Sequence, residues 1–329
     1  MFDACLMMNF NTSLSYPTHK LGYANVNTQK TFLYKSRSNR VLAMPPPSPF
    51  LLNTDEDGKF GSTSNDSGDS LVSLENTIGI IGGVSVDSTL KFLRKLVKLG
   101  SKDEDSIPFV LCSDPMLSKD LQLLERSSLP SLSGHKTQRV QMDPTRIVEN
   151  LRSKRVFLEN SGARCIVMPC HLSHCWYEEV SKGGNVPFLH MGECVAKQLK
   201  EAKLKPLEAG SEVRIGVLGT NVTLTAGFYQ DKLQNEGFEV VLPDKSTTEH
   251  AVVPAMEALS RKDIEGARNL LRIALQVLLV RAVNTVILAS DDMRNLLPLN
   301  DPLLKRCVDP LDALALSTVK WAQTAETGK

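Results

Sequence analysis

Cys170 is followed at once by His171, and His174 and Cys175 come within the next five residues. A thiol beside an imidazole and at a helix start suits acid–base or nucleophilic work, because such surroundings favour the thiolate. The same residues, Cys170, His171, His174 and Cys175, also make a zinc set, although four ligands packed so closely strain a tetrahedral site, so no metal is expected. The third reading is a reduced cysteine in a core turn. A second turn, Ser290-Asp291-Asp292, stands near the C-terminus. Its carboxylates suit capping of the following helix or proton transfer beside Ser290. The turn Gly82-Gly83-Val84-Ser85 brings backbone N–H groups to a carboxylate or phosphate, or serves only as a tight turn. Its spacing is not that of a dinucleotide-binding loop, and no cofactor is expected.

Each of these turns closes a strand. Residues 77–82 form a β-branched run ending in glycine, residues 108–113 a second strand and residues 165–169 a third. A fourth is predicted over 186–190, and Asp143-Pro144 opens a helix reaching about residue 160. His190, at the end of the fourth strand, reads as a structural histidine. The pattern then restarts with strands over 213–218, 238–243 and 285–289, a helix around 224–233, and two helices within 249–283. A short strand at 307–309 precedes a last helix to about residue 322. Alternating strands and helices imply mostly parallel sheets flanked by helices, hence an α/β chain of two similar domains. The first is expected over 76–202 with 306–323 and the second over 203–305, with a tail at 324–329. Ligands in such sheets lie beyond the carboxyl ends of the strands.

With 38 basic and 37 acidic residues among 329, the net charge of +1 argues against nucleic acid as a partner. The seven cysteines are odd in number and irregularly spaced, which suits reduced thiols. No apolar run reaches the length of a membrane span. Before Thr54 the single acidic residue is Asp3, while five Lys and Arg residues lie among Ser, Thr and Asn. That is the composition of an import peptide, so residues 1–75 are read as a chloroplast transit peptide followed by a polar linker. The alternative is a tail on a cytoplasmic protein.

Over residues 78–322 the chain resembles the aspartate/glutamate racemase superfamily. The resemblance rests on Ile78-Gly79-Ile80-Ile81-Gly82-Gly83, on Gly162-Ala163-Arg164-Cys165-Ile166-Val167-Met168-Pro169-Cys170 with His174, and on Val186-Pro187-Phe188-Leu189-His190. In the second half it rests on Gly227-Phe228-Tyr229-Gln230, on Gly237-Phe238-Glu239-Val240-Val241-Leu242-Pro243-Asp244 and on Val308-Asp309-Pro310. It implies an active-site cleft between the two domains, a small-molecule carboxylate substrate and no cofactor, with dimerisation through a domain face. Two cysteines then flank the substrate Cα, one removing a proton and the other supplying one. Cys170 matches the first, and Ser290 stands where the second is usual. Gly82, Gly83, Ser85, His171, Leu172, Thr223, Thr225 and Asp291 occupy the positions implied for substrate contact. His171-Leu172 replaces the usual Asn-Thr, and Thr225 a common lysine. The activity implied is racemisation of a small acidic amino acid such as aspartate or glutamate. Single-thiol decarboxylation and ligand binding without catalysis are the other two readings.

Overall fold

Seven strands and twelve α-helices lie among the described residues, which in this computed structural model are 75–100, 107–127 and 143–327. The leader and linker expected before residue 76 fall outside them, Glu75 excepted. Strand β1 (Ile78–Ile81) is buried at every position, between β2 (Phe109–Cys112) and β3 (Cys165–Val167) in a parallel sheet. An unbroken apolar run is what a strand covered on both faces requires. Gly79 belongs to that packing, since a Cβ there would lie 2.6 Å from Ile166 Cδ1.

The second sheet repeats the plan. Strand β4 (Arg214–Gly219) lies between β5 (Glu239–Val241) and β6 (Thr285–Ala289), all parallel, and β7 (Cys307–Val308) extends the β6 edge. In both sheets the first strand is central and the second and third flank it. The two similar α/β halves are therefore present. Around the first sheet lie α1 (Val86–Gly100), α2 (Pro115–Ser127), α3 (Thr145–Asn160), α4 (Tyr177–Ser181) and α5 (Met191–Glu201). The second half contributes α6 (Asn221–Ala226), α7 (Phe228–Asn235), α8 (Lys245–Thr247), α9 (Val253–Ser260), α10 (Ile264–Leu279) and α11 (Met293–Leu296). The last helix is α12 (Pro310–Thr327).

Local chemistry accounts for several boundaries. Asp143 accepts the Thr145 N–H at 2.9 Å and starts α3 beside Pro144. Gly227, at φ 74°, takes the left-handed conformation that ends α6 and splits the helix expected over 224–233. Other expectations are corrected. The strand expected over 186–190 shrinks to one bridge between Ile166 and Phe188, because Pro187 has no N–H for a ladder. The short strand assigned to the first domain pairs with the open edge of β6 instead, and α12 packs on α1 and α5. Helix α2 has no counterpart in the sequence reading, since its exposed Met116 and Leu123 blur the apolar stripe.

Ile78, Ile80 and Val167 of the first sheet share one core with Ile215, Val217 and Ile287 of the second, joined by Phe92, Tyr229 and Leu314. Both sheets belong to one compact unit. In each, the winding reverses between the central strand and the third. Crevices therefore open at the carboxyl ends of β1 and β3, and of β4 and β6.

Candidate functional site

Cys170 sits at the β3 end of that crevice and is 1 % exposed. Pro169 precedes it and ends the strand, and Leu172 anchors the turn by packing with Ile81, Met168 and Val180. The Val84 N–H points at the Cys170 sulfur, 3.5 Å away. Gly83 makes this approach feasible: a Cβ there would lie 2.1 Å from Cys170 Cβ and 2.4 Å from its Sγ. Helix α2 fixes the glycine turn from outside, with Ser118 Oγ donating to the Gly83 carbonyl at 2.7 Å and Gln122 Nε2 to that of Val84 at 3.1 Å.

From the second half, Ser290 and Asp291 follow β6. Ser290 is 4 % exposed. The Asp291 carboxyl lies against the Cys170 thiol and the Ser88 hydroxyl, and its Oδ1 is buried without a hydrogen-bond partner. That same oxygen is 3.8 Å from Nε2 of His171. His171 Nδ1 meets the Tyr229 hydroxyl at 2.9 Å. With Tyr229 donating, His171 keeps its proton on Nε2, facing Asp291. A buried chain thus runs Tyr229–His171–Asp291–Cys170, joining the two halves.

Burial sets the protonation of this chain. Desolvation, aided by the Asp291 charge, pushes the Cys170 thiol up to about 12. The thiolate expected from its histidine neighbours is thereby reversed, because the fold removes water from the sulfur and turns both imidazoles elsewhere. His171 is driven down to about 3 by desolvation and is neutral. His174 donates from Nε2 to the Met168 carbonyl at 2.9 Å and is also held neutral by burial. Desolvation first, then the charges of Glu125 and Asp292, raise the Asp291 carboxyl to about 8. Glu125, on α2, rises to about 7 through burial and Asp292.

Beside this chain opens a cavity of about 700 Å³. Its walls carry Val84 and Ser85, Ser113 and Lys119, Glu125 and Arg126, with Lys262 and Asp292 across from them. Charges of both signs therefore line it. Cys170 and Ser290 do not line it and lie deeper. Ser85 is partly engaged, since its Oγ accepts the Ser88 N–H at 3.3 Å at the start of α1. Thr225 instead faces a neighbouring cavity of about 240 Å³, which shares Met256 with the larger one. Thr223 is buried with its hydroxyl 3.3 Å from that of Thr220, and Leu172 is a core residue that presents nothing to a ligand. Gly82 and Gly83 are buried in the turn itself. Asp292 makes no side-chain cap on α11, so capping does not explain the acidic pair. His190 accepts the Glu193 N–H at 3.3 Å and caps α5, as a structural histidine does.

Residues 81–318 match the model of the family described as Asp/Glu/hydantoin racemase. The chain belongs to that family. Among solved racemase-family structures, it is similar to the aspartate racemase of Picrophilus torridus, with TM-score 0.55 and 23% identity over 75% of this chain and 94% of that one. It is likewise similar to an aspartate racemase homologue from Pyrococcus horikoshii OT3, with TM-score 0.57 and 20% identity over 75% and 99%. At such identities these two structures establish the shared fold. A third relative is the broad specificity amino-acid racemase RacX of Bacillus subtilis, 34% identical over 89 residues. That match spans 27% of this chain and 35% of RacX, about a third of its length. Tyr229 of the buried chain and Glu125 of the cavity wall were not among the candidate site residues read from sequence. Tyr229 stands inside a family-like segment, Gly227-Phe228-Tyr229-Gln230, whereas Glu125 carries no local signal.

Proposed function

We propose that the protein is a cofactor-independent isomerase that moves the Cα proton of a small acidic amino acid such as aspartate or glutamate. The observation that carries this reading is the approach of the Cys170 thiol to the Asp291 carboxyl after β6, between two similar sheets that share one core. A Cα–H is a very weak acid, so its removal needs a base held against it and a water-poor site. Burial of Cys170 supplies the second condition. An amino dicarboxylate carries both signs of charge, and the neighbouring cavity offers Lys119, Arg126 and Lys262 to carboxylates and Glu125 and Asp292 to an ammonium group. The names of the relatives, aspartate racemase and broad specificity amino-acid racemase, point to the same class.

The test is Cα exchange in heavy water followed by proton NMR, with L- and D-aspartate and glutamate. Exchange is expected for the wild type and a loss of about a thousandfold for Cys170→Ala. Equal rates in the two proteins would end this reading. The presence of Ser290 in place of a second cysteine favours one competitor, decarboxylation with Cys170 as sole proton donor, and release of carbon dioxide in the same tubes would select it. We also place the mature protein in the chloroplast. A fluorescent fusion of residues 1–75 is expected to enter plastids, and cytosolic fluorescence would refute the import.

A further inference from the structure

We propose that Asp291 takes the part of the absent second thiol, so that Cys170 and Asp291 are the two groups that flank the substrate Cα. This rests on the racemase reading above and adds a catalytic residue to it. Cys170 follows β3 and Asp291 follows β6, each at the carboxyl end of a strand where its half of the fold places ligands. In the structure their side chains meet directly. The groups that act on the Asp291 carboxyl are Cys170 and Ser88 beside it, His171 at 3.8 Å, and, through longer-range electrostatics, Glu125 from α2, Tyr229 from α7 and the adjacent Asp292. None of these is a cation, so no ion pair accounts for the carboxyl. Its Oδ1 is buried and makes no hydrogen bond among the described residues, which leaves that oxygen open to a ligand. The hydroxyl of Ser290 is too weak an acid, and its alkoxide too strong a base, to replace a thiol unaided.

The step balances with one proton. The thiol is the weaker acid of the two, so as pH rises through about 8 the pair passes from S–H with COOH to S–H with carboxylate, the working form. When the walls part and Cα enters between them, the carboxylate takes the Cα proton and the C–H electron pair passes toward the substrate's own carboxylate. The thiol then gives its proton to the opposite face of Cα, forming the new C–H bond and leaving a thiolate. After the product leaves, contact between the two walls returns the O–H proton of Asp291 to sulfur. His171, bonded to Tyr229 through Nδ1, turns its Nε2 toward Asp291 Oδ1 at 3.8 Å, outside hydrogen-bond distance. No oxidant or cofactor enters the balance.

Wild type, Asp291→Asn, Asp291→Glu and Ser290→Ala are compared as full chains in two measurements. The first is Cα exchange in heavy water. Asp291→Asn is expected to lose about a thousandfold, Asp291→Glu to recover part of that loss, and Ser290→Ala to stay near wild type. The second is alkylation of Cys170 by iodoacetamide at pH 8, resolved by peptide mass spectrometry. Removing the neighbouring carboxylate is expected to speed Asp291→Asn by about tenfold, one pKa unit, with Ser290→Ala unchanged. An active wild type whose Asp291→Asn variant keeps exchange, or whose Ser290→Ala variant loses it, overturns the pair. So does an alkylation rate that does not respond to Asp291→Asn. A wild type inert toward every amino acid overturns the racemase reading itself, and the pair's catalytic part with it.

Discussion

Gly83→Ala is expected to destabilise the protein by about 3 kcal/mol and to lower any Cα exchange by about a hundredfold. The new methyl carbon would stand 2.1 Å from Cys170 Cβ and 2.4 Å from Sγ, well inside contact distance. Neither side can yield cheaply. The glycine turn is held by Ser118 and Gln122 through the carbonyls of Gly83 and Val84, and Cys170 lies in the core with Leu172 and Ile81. Overpacking of this kind costs about 1–3 kcal/mol in ordinary cores, and two rigid backbone segments place this site at the upper end. A midpoint lowered by about 6–12 °C in thermal unfolding is the corresponding reading for a body of this size. Gly82→Ala is the internal control, because a Cβ there meets nothing closer than the Cys112 carbonyl at 3.4 Å. If the two variants unfold alike, the close approach of the two turns is not what demands Gly83.

The strands that frame this site were readable because their signal is strong and local. Ile78, Ile80 and Ile81, and likewise Val286 to Ala289, must be apolar to sit in parallel strands covered on both faces, and they are buried at 1 % exposure or less. Pro169 and the polar Ser290-Asp291 mark where each strand stops, which located the two walls of the crevice. What joins those walls left no such trace. Tyr229 and His171 are 58 residues apart in sequence, and only the packing of the second half on the first brings them together. Glu125 sits on a helix whose apolar stripe is blurred, so nothing local places a carboxyl there. The protonation state was beyond local reading for a further reason. Histidine neighbours in sequence argue for a thiolate at Cys170, whereas desolvation, a property of the whole fold, keeps the thiol protonated.

Folding stability is expected to peak near pH 6.5 and to fall by about 2 kcal/mol on going to pH 8, largely through Asp291. Its folded pKa, about 8, is far above the roughly 3.9 of an unfolded aspartate, so the folded state holds the extra proton between those values. Stability from such a group is complete below the unfolded pKa and is lost as pH rises through the folded one. Glu125, raised to about 7, has the same sign. The histidines act oppositely. His171 at about 3 and His190 at about 4 bind fewer protons folded than unfolded below about pH 6.5, so their share is lost as pH falls. Between pH 4 and 6.5 the two sets oppose each other, and above pH 6.5 the carboxyls alone remain. Urea midpoints across pH 5–9 would trace the curve, and a thermal midpoint lower by about 4–8 °C at pH 8 than at pH 6.5 is its calorimetric form. Asp291→Asn keeps the shape and removes the charge, so its alkaline limb is expected to flatten and the variant to exceed wild type at pH 8. The carboxylate form that weakens the fold is also the form that can take a proton from Cα. Exchange activity is therefore expected to rise with pH over the same range in which stability falls, both centred near pH 8, as a site whose function needs an unfavourable buried charge requires. An alkaline limb that persists unchanged in Asp291→Asn would move the titration to another carboxyl and separate the two curves.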